Sequence, residues 1–302
     1  MRHLSLLLVI LLATPLFAAK PAADLPRVVA STNILLDFVE HVGGDLVAAD
    51  SLVPPGVDLH TFSPTPQDIA KLRDADLVVV NGLHLEGWID EAIENSGFSG
   101  RIVVASNGID VLAGSCEAHD HDHDHHHHAT DPHAWLSPRN AMVYVKNISS
   151  ALAELHAEAA EDYEANAALY NGQLRILDSW IKRQSAQIPA ERRVLVTDHD
   201  AFAYFAQAYG FETHSVVGLS TTEEPSAKDL AQVVDTIRAR DVGAVFVESA
   251  EASRLIERAA EEAGVSVAGP LYVGSLDPPG GLADTYIAMQ RHNLRTIVRN
   301  LK

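Results

Sequence analysis

A single cysteine, Cys116, stands in 302 residues, which excludes an internal disulfide and any zinc site built from several thiolates. Positive charge is scarce too. Against 41 Asp and Glu there are 22 Lys and Arg, leaving a formal net charge of −19. So acidic a chain suits neither nucleic acid nor an anionic membrane surface, both of which attract Lys and Arg. It does suit a cation, although the same balance is also an ordinary route to solubility. Beyond the N-terminal segment no apolar run is long enough to cross a membrane. HExxH, GxSxG and a phosphate-binding glycine loop are all missing, so the motifs that would support an enzyme are not found.

The N-terminal segment reads as an export signal. Arg2 and His3 give a polar start, Leu4 to Leu12 is almost wholly apolar, and Leu16-Phe17-Ala18-Ala19 offers small residues for cleavage. The apolar stretch is shorter than the about 20 residues a spanning helix needs. Residues 1–18 are expected to be removed, and no cysteine lies near the cleavage point to take a lipid. The expected product is a soluble, monomeric, periplasmic protein.

From Arg27 onward, short β-branched runs alternate with helical patterns. RVVAST, LVAADSLV, DLVVVNG and RIVVAS read as strands; NILLDFVEHVGG, TPQDIAKLRDA and EGWIDEAIEN read as helices. Thr65 and Pro66 form a helix-start signal. The rhythm stops after Gly108 and returns after Pro189 with RRVLVTD, ETHSVV, GAVFVES and VSVAG as strands, ending in a helix over Gly281 to Asn300. Between them lies an Ala-, Glu- and Leu-rich tract from Pro138 to about Gln187. It is either one continuous helix bridging two lobes or a pair folded back near Gly172. The expected class is α/β, with parallel sheets in two lobes joined by this helical tract and a ligand site in the cleft between them. The expected divisions are an N-terminal lobe over 24–160, which includes a His-rich loop at 116–130, a linking helix over 161–187 and a C-terminal lobe over 188–302.

The loop carries HDHDHDHHHH, with His119, His121, His123, His125, His126, His127 and His128. Neutral imidazoles and carboxylates gain nothing from burial, yet they are the commonest first-row metal ligands. An internal run broken by aspartates is no purification tag. Metal binding and a merely solvated insert are the readings left.

Four further residues fall at strand ends or in the loops after them: His60, His133, His199 and Asp277. Three imidazoles and one carboxylate compose a closed four-coordinate site that suits Zn2+. Asp58, Asp131 and Asp200 lie beside these positions, either holding imidazole tautomers or serving as turn and cap residues. His84 reads as an exposed loop residue, and His41, His156, His214 and His292 as structural or exposed. Trp88 and Trp135 read as packing residues.

VPPGVDLHTFSPTPQDIAKL, VVVNGLHLEGWI, DPHAWLSPRNA, TDHDAFAYFAQAYG and GLSTTEEPSAKDL together resemble the cluster A-I, or ZnuA-like, solute-binding proteins of zinc and manganese ABC importers. The resemblance covers nearly the whole mature chain. It implies a receptor that captures a metal ion between two lobes, with limited motion between them. The ion would pass to a permease in the inner membrane driven by a cytoplasmic ATPase, with a separate metal-donating protein left open. By motif, His60 and His133 become ligands. Receptors of the zinc branch carry histidine at the third position and manganese receptors glutamate, so His199 implies Zn2+; imidazole in place of carboxylate shifts a site the same way. The fourth ligand maps to Asp277 in Leu276-Asp277-Pro278, with Asp284 as the nearby alternative. A His-rich insert before DPHxW also marks zinc receptors, and its ordering entropy should make it a weaker, faster-exchanging accessory site than the cleft. Two competing readings remain. One is a zinc-buffering or metal-transfer protein acting through the loop. The other is a secreted zinc hydrolase, which needs an open coordination position that a fourth ligand at Asp277 would close.

Overall fold

A computed structural model describes residues 25–114, 130–221, 226–248 and 253–302. The expected signal segment 1–18, Cys116 and the histidines of 119–128 lie outside the described residues. Strands β1 (Arg27–Ala30), β2 (Ala48–Ser51), β3 (Leu77–Val80) and β4 (Arg101–Val104) form a parallel sheet in the order β2-β1-β3-β4. All of β3 is buried, as befits a strand covered by helices on both faces. Those helices are α1 (Asn33–Gly43), α2 (Pro66–Arg73) and α3 (Ile89–Ser96). A reciprocal box starts α2: the Thr65 side chain accepts from the Asp68 N–H while the Asp68 carboxylate accepts from the Thr65 N–H, with Pro66 in the first turn.

The second lobe holds two parallel pairs, β5 (Val194–His199) with β6 (Glu212–Val217), and β7 (Ala244–Phe246) with β8 (Ser266–Ala268). Helices α6 (Ala203–Tyr209), α7 (Ala227–Ala239) and α8 (Ser253–Ala263) complete it. Strands β5 and β7 lie side by side. At their C-terminal ends, the Glu248 N–H donates to Asp198 Oδ2 at 2.6 Å and the His199 N–H to Glu248 Oε1 at 3.2 Å. The alternation read from the sequence is thus two α/β lobes with parallel sheets.

Between the lobes, α4 (Pro138–Leu155) packs along α5 (Ala160–Ser185). The helical tract breaks at His156, where φ is −134°, and not at Gly172, which lies inside α5. A Cβ at Gly172 would meet nothing, so that glycine carries only its propensity cost. At 26 residues, α5 is about 39 Å long and also packs against α1 and α9 (Tyr286–Leu301). The final helix begins later than Gly281, because Thr285 caps it by accepting from the Ala288 N–H. Buried aromatic side chains from all four helices, Phe38, Tyr144, Tyr170 and Tyr286, share one core. The Tyr286 hydroxyl donates to the Trp135 carbonyl at 2.7 Å, and Trp135 Nε1 to the Val273 carbonyl at 2.8 Å. The C-terminal segment is therefore stitched back to the first lobe. No helix among the described residues is long and apolar enough to cross a membrane.

Candidate metal centre

Three loops or strand ends converge at the cleft, each held by local chemistry. His60 lies in the loop after β2, where Asp58 Oδ1 accepts the His60 N–H at 2.9 Å, an Asx turn. His133 precedes a single helical turn, Ala134–Leu136. Asp131 Oδ1 accepts the His133 N–H at 2.9 Å and lies 2.8 Å from its Nδ1. His199 ends β5. Its Nδ1 faces Glu248 Oε2 at 2.5 Å.

With Nδ1 of His133 and His199 turned to carboxylates, the Nε2 atoms point at one another. His133 Nε2 is 3.3 Å from both His60 Nε2 and His199 Nε2. One ligand atom from each of the three histidines lies within 4.8 Å of the others. A tetrahedral zinc ion with nitrogen ligands at about 2.05 Å has N···N edges of about 3.3 Å. His133 and His199 are buried, and His60 is half-buried. The result is a buried, histidine-based site able to coordinate a divalent metal ion.

Its electrostatics suit an ion. Burial, reinforced by His199, lowers His60 to about 4. Burial also holds His133 well below the usual imidazole range, with His199 and His60 adding to the effect. Both rings are therefore neutral donors near neutral pH. Burial disfavours charge on His199 as well, but the adjacent Glu248 carboxylate lifts it above its ordinary value. Burial pushes Asp131 up to about 7, and burial together with the Glu248 charge does the same to Asp198. Asp131 Oδ2 is buried with no hydrogen-bond partner among the described residues. A bound cation would offset that buried negative charge.

Asp277 lines the same cleft, about 1080 Å³ in volume, but does not join the three-histidine group. Its Oδ2 accepts from the Tyr272 hydroxyl at 2.9 Å and the Ala283 N–H at 3.1 Å. Asp284 Oδ2 accepts the Gly280 N–H at 2.9 Å and is not among the cleft-lining residues. Asp58 acts on the backbone of His60 and also reaches across the cleft, its Oδ2 accepting from Thr221 Oγ1 at 2.6 Å. Asp200 is buried and donates its N–H to the Gly218 carbonyl.

Glu248 is the residue that sequence reasoning missed. Its only signal was its place at the end of the strand-like run GAVFVES, the same strand-end signal that singled out His199. His84 is exposed, while His41 sits by Asp37 and His214 by Glu212. Trp88 and Trp135 are partly or fully buried, and each donates to a carbonyl. The described ends of the His-rich segment meet in an antiparallel bridge between Ala113 and Thr130. There the Tyr204 hydroxyl accepts the Leu112 N–H and donates to the Asp131 carbonyl, both at 3.1 Å.

A family model described as zinc-uptake complex component A, periplasmic, matches residues 28–300. A manganese-binding lipoprotein of Halalkalibacterium halodurans is 36% identical over 275 residues, covering 91% of this chain and 88% of its own length. An iron-binding protein of Yersinia pestis is 33% identical over 273 residues, covering 90% and 85%. Among solved structures, a periplasmic zinc-binding protein from Treponema pallidum aligns with TM-score 0.83 at 33% identity, covering 92% of this chain and 99% of that one. A manganese-bound periplasmic metal-binding protein from Candidatus Liberibacter asiaticus aligns with TM-score 0.80 at 30% identity, covering 92% and 100%.

Proposed function

The chain belongs to the zinc-uptake component A family and is a periplasmic metal-binding receptor of an ABC-type importer, and from that premise we propose that its cargo is Zn2+. The observation that carries the reading is the donor set. Three imidazole nitrogens, two of the contacts at 3.3 Å, match a tetrahedral zinc shell, whereas Mn2+ favours oxygen donors and higher coordination. Manganese is the competing cargo, since several relatives are named for it. His199 argues against it, because a nitrogen donor stands where a hard-cation site gains from a carboxylate.

His60, His133 and His199 act as ligands in this reading, and Asp277 supplies the fourth donor from the far wall of the cleft. The protein is a receptor and not a catalyst, and it hands its ion to the importer's membrane permease. His119 to His128 serve as an accessory, weaker zinc store.

Calorimetry on the metal-free mature protein, with chelator competition, tests this. One tight Zn2+ event is expected, far tighter than Mn2+, retained when residues 119–128 are deleted and lost in His60→Ala or His199→Ala. Mn2+ bound as tightly as Zn2+ would overturn the cargo assignment. Zinc binding lost on loop deletion alone would move the function to the loop.

A further inference from the structure

We propose that Glu248 is a specificity-determining residue: its carboxylate, locked behind the His199 ring, strengthens that imidazole as a donor and biases the cleft toward the more strongly Lewis-acidic of competing dications. This rests on the assignment of His199 as a ligand.

Glu248 lies just beyond β7, whereas His199 ends β5. One carboxylate meets the histidine twice: Oε2 lies 2.5 Å from Nδ1, an ion-pair approach without hydrogen-bond alignment, and Oε1 accepts the backbone N–H at 3.2 Å. Turning the ring would break the first contact, and moving the strand end would break the second. The negative charge beside Nδ1 favours the proton on that nitrogen, which leaves the Nε2 lone pair facing His133 Nε2 and the centre of the triad. Side-chain exposures of 6% and 9% leave little water to screen the pair.

Glu248 is fixed in turn from the opposite strand, its own N–H donating to Asp198 Oδ2 at 2.6 Å. Each carboxylate thus takes a backbone N–H from the other strand end, and only Glu248 also touches the ring. Asp131 differs in origin, because it sits two residues from His133 and travels with it. Glu248 makes His199 depend on how β5 and β7 adjoin.

The effect on selectivity follows from how a carboxylate can act. Through space, one negative charge attracts every dication about equally. Through the ring, it raises the basicity of Nε2, and Zn2+, which draws harder on nitrogen than Mn2+, gains more. Removing the charge should therefore narrow the Zn2+/Mn2+ preference as well as weaken binding.

Glu248→Gln keeps the shape and an acceptor oxygen without the charge, Glu248→Asp keeps the charge, and Asp198→Asn perturbs the strand pairing without touching the ring. The mature protein and these variants would be titrated with Zn2+ and Mn2+, and the Co2+ forms compared by visible absorption. In Glu248→Gln, Zn2+ affinity is expected to fall about 10–100-fold and Mn2+ affinity by less, with shifted Co2+ bands. Glu248→Asp should recover part of the ratio, and Asp198→Asn, which loosens the tie that fixes Glu248 but keeps its charge, should narrow the ratio by less than Glu248→Gln. Equal losses for both metals with an unmoved Co2+ spectrum would overturn the inference, as would Asp198→Asn narrowing the ratio as far as Glu248→Gln. A wild-type protein that prefers Mn2+ would sink the zinc reading. A zinc-preferring wild type with an unmoved ratio in Glu248→Gln would sink only this inference.

Discussion

Asp131→Asn removes a carboxylate that the fold buries completely. In the wild type, one oxygen takes both the N–H and the ring nitrogen of His133, and the other has no hydrogen-bond partner among the described residues. Burial raises the carboxyl from 3.8 to about 7, with Asp200 adding to it and the His133 N–H opposing it. For an acid raised in this way, the stabilising contribution is full below the unfolded value and is lost as pH rises through about 7. Three pKa units at about 1.4 kcal/mol each put the cost of the ionised form on the order of 4 kcal/mol by pH 8. Asparagine has no charge to bury and can still accept one bond from His133, but its amide remains a buried polar group. The metal-free variant should therefore be more stable than wild type at pH 8 by roughly 1–3 kcal/mol, a rise of a few degrees in Tm for a chain of this size. At pH 5, about 1.2 units above the unfolded value, the linked cost falls to roughly 1.7 kcal/mol, which the buried amide offsets, and the advantage should vanish.

The metal-bound protein should respond in the opposite direction. With His133 in its proposed role as ligand, losing the carboxylate behind it should weaken metal binding about 10–100-fold, or roughly 1.4–2.7 kcal/mol. The stabilisation that zinc confers at fixed concentration should shrink by the same amount. Scanning calorimetry at pH 5 and pH 8, with and without zinc, reads all four quantities. A metal-free variant that melts below wild type at pH 8, or an unchanged zinc increment, would refute the reasoning.

Two further outcomes follow from the same geometry. In the metal-free protein the His60 ring should titrate near pH 4, because folding favours its neutral form. The stability linked to His60 is then present above about 6.5 and is lost as pH falls through about 4. Proton NMR should find its signals flat from pH 8 to 5.5, and a midpoint near 6.5 would contradict the burial argument. Asn33→Ala removes the acceptor of the Leu276 N–H at 3.1 Å and the donor to Ser275 Oγ at 3.1 Å, which pin the loop carrying Asp277. Denaturant unfolding should show a loss of roughly 1–3 kcal/mol, accompanied by weaker zinc binding; wild-type stability would mean that the loop is held by something else.

Most strands were legible in the sequence as short β-branched runs, with β2 (Ala48–Ser51) marked only by the flanking Val47 and Val53, and parallel α/β packing follows from their alternation with helices. The break in the helical tract was not legible. Helix formers fill Pro138 to Gln187 on both sides of His156, so local propensity could not choose between a turn there and a bend at Gly172. Packing of α4 on α5 decides it, with His156 Nδ1 set 3.0 Å from the Tyr163 hydroxyl. The triad was readable because each histidine sits in a distinctive loop or strand end. Glu248 was not, because a glutamate after a strand looks the same whether it faces water or a ligand. Its role depends on β7 lying beside β5, a fact about non-local pairing. Asp58 divides the same way: its Asx turn with His60 is local, while its bond to Thr221 exists only once the lobes meet.

How an ion enters this cleft is constrained by what holds the lobes together. A wide opening about α5 and α9 would separate Tyr286 from Trp135 and expose aromatic side chains such as Phe38 and Tyr286, whose rings are 4.9 Å apart. Exposing each such ring costs roughly 2–3 kcal/mol, so large rotation is a poor route for exchange. The loops at the mouth are cheaper to move. His60 is the half-buried donor of the triad, and its loop is tied across the cleft by exposed groups, Asp58 to Thr221 and the Gly56 N–H to Ser275 Oγ. His133 and His199 sit deeper, each against a carboxylate. An arriving ion would thus meet two pre-oriented nitrogens first, and His60 would close over it last. On release the order reverses, and the loop around His60 leaves before either buried ring has to turn.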